Sequence, residues 1–152
     1  RVKLTLVGEG SQLKEYKNLV ASLGLTEQVE FKGWLGAREI QNLTTQSYLG
    51  LFPSRIESFG LSVIEAMAAG LPVIAANGGA VPENIKDGVT GTLIPVNDSD
   101  ALAKAIILAL ENPKYIRLLA EAAKKEVRGK FSWNKTADSM VDIYTSVLRD
   151  RA

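Results

Sequence analysis

Strand-like and helix-like segments alternate five times along this chain, and the connections between them are short. Val2–Val7 alternates apolar and polar positions and is rich in β-branched residues, so it reads as a strand. Ser11 is placed to cap a helix over Gln12–Leu23, which Gly24 ends. The next pair is a strand at Gln28–Lys32 and a short helix at Ala37–Thr45, followed by a strand at Tyr48–Phe52 that stops at Pro53. Gly60–Ala69 is a run of good helix formers closed by Gly70. Pro72–Ala76 is continuously apolar, the pattern of a strand buried on both faces. Asn77-Gly78-Gly79 reads as a loop, Gly91–Pro95 as a fifth strand, and Ser99–Glu111, Pro113–Arg128 and Trp133–Arg149 as three closing helices. The last of these repeats Ala137, Met140, Val141, Tyr144, Val147 and Leu148 at helical spacing. Such alternation predicts the α/β class: a doubly wound parallel sheet of about five strands with helices on both faces.

Composition removes whole classes of chemistry. The 152 residues include no cysteine and no histidine. That excludes thiolate nucleophiles, Cys/His zinc sites and Ser-His-Asp triads, and it fits a reducing, cytoplasmic setting. A net charge of +1 argues against a dedicated nucleic-acid binder. No apolar run approaches the ~20 residues that span a bilayer, and Val2–Val7 is too short for a signal peptide. The length and the lack of a linker predict a single domain over residues 1–152. A strand pattern begins directly after Arg1, which suggests a piece of a longer protein.

In sheets of this class ligands bind beyond the carboxyl ends of the strands, where loops run into helix N-termini. Gly8-Glu9-Gly10 invites a dinucleotide reading, but Leu13 stands where the third glycine of that fingerprint belongs. Asp98-Ser99-Asp100 has the form of a metal-binding Asp-x-Asp, yet it precedes a helix where an N-cap is expected. Pro53–Ile74 is the most informative stretch. Glu57 sits in the loop, Gly60 opens a helix whose first N–H groups suit a diphosphate, and Glu65 follows one turn later. Cα–Cβ bonds tilt toward a helix N-terminus, so Glu65 shares a face with Leu61 that looks back at the same crevice, where a carboxylate can accept both hydrogen bonds of a ribose diol. On residue physics alone Glu57 reads as a solvated loop acid before a helix, and Phe59 and Met67 read as core.

The same stretch resembles the donor-site signature of retaining glycosyltransferases of family 4, with the GT-B fold. Glu57 and Glu65 stand with seven residues between them, Phe59-Gly60 lies inside the pair and Ala66-Met67 follows it. Val7-Gly8-Glu9-Gly10, Val29–Gly33, Pro53-Ser54, Gly70–Ile74, Gly78-Gly79 with Glu83, Asp87-Gly88, Gly91 and Asp98 fall where the family has similar residues. The resemblance implies a Rossmann-like, C-terminal half of a two-domain enzyme that binds a nucleotide-diphospho-sugar donor and needs no bound metal or other cofactor. It implies that Glu57 contacts the donor sugar near the reacting carbon, as the catalytic candidate, and that Glu65 holds the ribose. Phe59 and the backbone of Gly60, Leu61 and Ser62 would face the sugar and diphosphate, and Gly33, Trp34 and Leu35 would lie at the base. A sugar or lipid-linked acceptor would sit on a missing N-terminal domain, and a lipid-linked one would draw the full enzyme to a membrane surface.

The family's half normally begins with one further strand and helix, carrying an Arg and a Lys that clamp the diphosphate. Without that strand, the strands at Val2–Val7 and Tyr48–Phe52 are expected to close up and pair, in the order 2-1-3-4-5, since unpaired buried backbone costs ~1–3 kcal/mol per group. The loop Gly8–Gly10 would then lie against Pro53–Phe59. The competing functional readings are a GT-B epimerase or phosphorylase half, and a non-catalytic flavodoxin-like nucleotide-binding module.

Overall fold

The computed structural model describes residues 2–149. The chain divides into two compact units, residues 1–43 and 44–152. The first contains β1 (Leu4–Val7), α1 (Leu13–Ser22) and β2 (Val29–Gly33), and ends within α2 (Ala37–Gln46). β1 and β2 pair in parallel, Leu4 opposite Val29 and Leu6 opposite Phe31, with a register shift that brings Val7 opposite Gly33. The alternation expected of β2 is present. Val29 and Phe31 are half-buried, whereas Glu30 and Lys32 are exposed and ion-paired at 2.6 Å. Lys17 of α1 lies 5.8 Å from the Phe31 ring centre, a cation–π contact across the helix and sheet. Ser11 does not cap α1; Gln12 occupies that place without a side-chain bond, because the chain is still turning at residue 11. Gly24 ends the helix as expected, with a left-handed φ of 67°.

The second unit holds a three-stranded parallel sheet, β3 (Gly50–Phe52), β4 (Val73–Ala76) and β5 (Thr92–Ile94), with β4 in the middle. Around it run α3 (Leu61–Ala69), α4 (Val81–Asn84), α5 (Ser99–Glu111), α6 (Pro113–Lys130) and α7 (Trp133–Arg149). Every side chain of β4 is buried, as its unbroken apolar run predicts. Alternation then splits them between two cores. Val73 and Ala75 pack with Val63, Met67 and Val127, while Ile74 and Ala76 pack with Ile94, Ala109 and Ile116. Helices therefore cover both faces of this sheet. α7 forms over the expected range, but its apolar positions Val141, Tyr144 and Leu148 are exposed among the described residues.

The expected α/β class with five parallel strands is present, the strands lying in a two-stranded and a three-stranded sheet. One expectation is corrected. The Val2–Val7 strand and the Tyr48–Phe52 strand do not pair: β1 is bonded to β2, β3 to β4, and no ladder joins β1 to β3. The penalty that argued for closure assumed long, buried edges. β3 is only three residues long, so few backbone groups are at stake on its edge. The helix α4 follows the Asn77-Gly78-Gly79 loop as a single turn with Pro82 near its start, too short for any periodicity to announce. Among the described residues no helix is long and apolar enough to cross a membrane.

Candidate functional site

The loop between β3 and α3 leaves the carboxyl end of the sheet, as does the one between β4 and α4. Gly60 ends the first of these loops with φ 78° and ψ 40°, a left-handed conformation that a glycine adopts without a Cβ penalty. Gly60 has no side chain to cap α3, and the N–H groups of Leu61, Ser62 and Val63 have no acceptor among the described residues. α3 buries Val63, Ile64, Ala66 and Met67 and leaves Leu61, Ser62 and Glu65 exposed. The face expected to join Glu65 to Leu61 is thus the solvent face of the helix. Gly70 closes it with φ 84°, its N–H donating to Met67 O at 3.0 Å while Leu71 N–H donates to Ala66 O.

Glu57 is half-buried in the loop, and Glu65 is exposed. Neither carboxylate takes a hydrogen bond or an ion pair from a described residue, so both are open to an incoming ligand. Arg55 is exposed and pairs with neither. Met67 is fully buried, as the residue-level reading expects, whereas Phe59 is 48% exposed and sets its ring edge-on to Phe131 at 5.9 Å. Phe59 is therefore half open to solvent rather than in the core.

The second loop supports the first from below. A Cβ on Gly78 would collide with Arg55 O, and one on Gly79 would collide with Glu57 O and stand 2.7 Å from Glu57 N. Ala80 N–H donates to Glu57 O at 2.9 Å, and the buried Asn84 donates Nδ2–H to Phe59 O at 2.6 Å. Sequence reading found the paired glycines as a loop but had no signal for Asn84, a polar residue like many others until its burial is known. Asp98 is an N-cap: its Oδ1 accepts from Ala101 N at 2.8 Å.

Gly33, Trp34 and Leu35 belong to the first unit. Gly33 ends β2 with φ 65°, Trp34 is 74% exposed and Leu35 is half-buried. Glu9 Oε1 accepts from Trp34 N–H at 3.5 Å and would stand 3.3 Å from a Cβ on Gly33. This contact fixes the Gly8–Gly10 turn to the end of β2, beside a cavity of about 360 Å³ lined by Gly8, Gln12, Tyr16 and Phe31.

The profile of the family described as Glycosyl transferases group 1 matches residues 1–126. The chain belongs to that family. This group 1 sequence is 37% identical over 149 residues to N-acetyl-alpha-D-glucosaminyl L-malate synthase of Bacillus anthracis, covering 97% of the chain and 38% of the relative. It is 31% identical over 137 residues to D-inositol 3-phosphate glycosyltransferase of Saccharomonospora viridis, covering 90% and 32%. The group 1 chain thus spans about a third of the length of the curated relatives it matches. Among solved structures, Anabaena Alr3699/HepE in complex with UDP superposes with a TM-score of 0.89 at 28% identity, over 95% of this chain and 41% of that one. The resemblance carried by Glu57, Phe59-Gly60 and Glu65 is therefore to the chain's own family, and the GT-B type of fold is shared.

Proposed function

We propose that this chain is the donor-binding half of a retaining glycosyltransferase. Its ligand is a nucleotide-diphospho-sugar, and the acceptor, a sugar or lipid-linked alcohol, is held by a further domain. The observation that carries the reading is the start of α3, where the N–H groups of the exposed Leu61 and Ser62 have no acceptor among the described residues and the open Glu65 carboxylate follows one turn later. Partial positive charge there suits a diphosphate, and a carboxylate one turn on suits the ribose diol. Alr3699/HepE, a protein solved with UDP and also with UDP-glucose, supports the assignment. Family membership weighs against the flavodoxin-like module.

In this reading Glu65 grips the ribose, and Glu57, half-buried in the loop, meets the donor sugar. Phe59 walls the sugar pocket, the backbone of Gly60, Leu61 and Ser62 faces sugar and diphosphate, and Gly33, Trp34 and Leu35 lie along the base. The bond from the anomeric carbon to the diphosphate breaks while the acceptor oxygen bonds to the same face of that carbon. The acceptor's proton leaves with the diphosphate. The α3 amides stabilise the charge that develops on the leaving group; one such donor is worth ~3 kcal/mol in a preorganised site. We assign the reaction to the cytoplasm, which the cysteine-free sequence fits. The chain alone binds donor without transferring its sugar.

Calorimetric titration of the chain with UDP, GDP and ADP tests the assignment. Glu65→Ala should weaken the best of these ligands by ~1.5–3 kcal/mol for each hydrogen bond lost, and Glu65→Gln by less. Unchanged affinity in Glu65→Ala removes the ribose role.

A further inference from the structure

Gly60 permits the left-handed turn that opens α3, but a glycine is equally free to leave it. Something else must hold the turn. Gly60 has no side-chain cap, and the Phe59 ring, 48% exposed, meets Phe131 in a T-shaped contact. The backbone contacts come instead from the neighbouring segment. Asn84, 8% exposed and lodged in the single turn of α4, donates to Phe59 O at 2.6 Å and to Ala80 O at 3.3 Å. Its Nδ2 would lie 3.6 Å from a Cβ on Gly60. Ala80 N–H holds Glu57 O at 2.9 Å. The α4 turn is itself tied down, since Lys130 Nζ donates to Glu83 O at 2.8 Å.

A peptide unit is planar and trans, so its N–H points opposite to its C=O. Holding the Phe59 carbonyl from the Asn84 side therefore turns the Gly60 N–H to the other side of the loop. Holding the Glu57 carbonyl from the Ala80 side does the same for the Ser58 N–H. Neither N–H has an acceptor among the described residues. We propose that Asn84 is a positioning residue of the donor site: through the Phe59 carbonyl it fixes the turn that frees the Gly60 amide and sets the Glu57 loop against α3. Gly78 and Gly79 allow the approach, because a side chain at either would push the loop off its support. The inference rests on the donor-site reading of the Glu57–Glu65 segment and deepens it by adding a residue outside that segment.

The test uses the chain with UDP and UDP-glucose as probes, in the Asn84→Leu, Asn84→Asp and Glu57→Ala variants. Leucine keeps the branching and the number of side-chain heavy atoms and removes the donor. Asparagine-to-aspartate keeps the shape and places an acceptor against the carbonyl. UDP-glucose should bind Asn84→Leu roughly 10-fold more weakly, the equivalent of one hydrogen bond. The amide resonances of Ser58 and Gly60 should move while those of α5 stay in place. A purely structural Asn84 would lower stability without coupling to Glu57. A positioning Asn84 must couple, so the double variant Asn84→Leu/Glu57→Ala should lose less affinity than the product of the two single losses. Multiplicative losses, or unchanged affinity in folded Asn84→Leu, overturn the proposal. If both Asn84 variants fail to fold, the wild-type chain still decides. The side-chain amide protons of Asn84 should exchange at least ~100-fold more slowly than those of the exposed Asn77, and equal rates overturn it. Failure of the wild-type chain to bind either probe would defeat the donor reading instead, leaving amide exchange to judge Asn84 alone.

Discussion

Replacing Gly79 with alanine introduces one methyl group at the point where the two site loops cross. The added carbon would overlap Glu57 O and stand 2.7 Å from Glu57 N and 3.0 Å from Glu57 C, all backbone atoms that cannot rotate aside. Gly79 also has φ 57°, a region that costs a residue with a Cβ ~1–2 kcal/mol. Pushing the loop away forfeits the Ala80–Glu57 hydrogen bond, a net ~1 kcal/mol, and overpacking adds ~1–3 kcal/mol. The expected total is ~3–6 kcal/mol. Gly88 supplies the control in the same unit. Its φ is 69°, but a Cβ there would meet only Tyr115 Oη at an ordinary 3.7 Å, so Gly88→Ala should cost the conformational part alone, ~1–2 kcal/mol. Urea unfolding of both variants, followed by circular dichroism, measures the difference, and calorimetry with UDP-glucose measures what the loop shift does to binding. Equal losses in the two variants would refute the steric reasoning, since they would mean the Glu57 loop yields at no cost.

Glu57→Ala should leave UDP affinity nearly intact and abolish the preference for UDP-glucose, measured by paired titrations; equal losses for both would reassign Glu57 to ordering the loop. Asp98→Ala removes the N-cap of α5 and should lower unfolding free energy by ~1 kcal/mol, read from urea midpoints. Met67→Ala empties a fully buried place between α3 and the sheet and should cost ~2–5 kcal/mol by the same measurement.

What the sequence disclosed follows the strength of the local physics. The apolar run Val73–Ala76 has one solution, a strand between two layers, and it is found there. Gly60 and Gly70 bracket a helix because both ends need a left-handed residue, and the bounds fall there to within one position. Asp98 was legible as a cap because its acceptor reaches only three residues along the chain. The failures are non-local. Whether β1 and β3 pair depends on what each edge meets, which no periodicity records. Asn84 matters through a carbonyl 25 positions earlier, a contact that exists only after β3 and β4 lie side by side. The family was readable from the segment that holds Glu57 and Glu65, but the backbone support that Asn84 gives the loop was not.

The crossing of the two loops at Gly78 and Gly79 limits how such a domain can diversify. A residue inserted between Pro53 and Gly60, or a bulkier one at 78 or 79, displaces both loops at once, because each carries the other's backbone contacts. Variation that alters ligand preference without loss of folding must therefore accumulate on exposed side chains of the first loop and its helix, such as Arg55, Ser58, Leu61 and Ser62. A laboratory library confined to those four positions should retain far more folded members than one of equal size spread over residues 77–84.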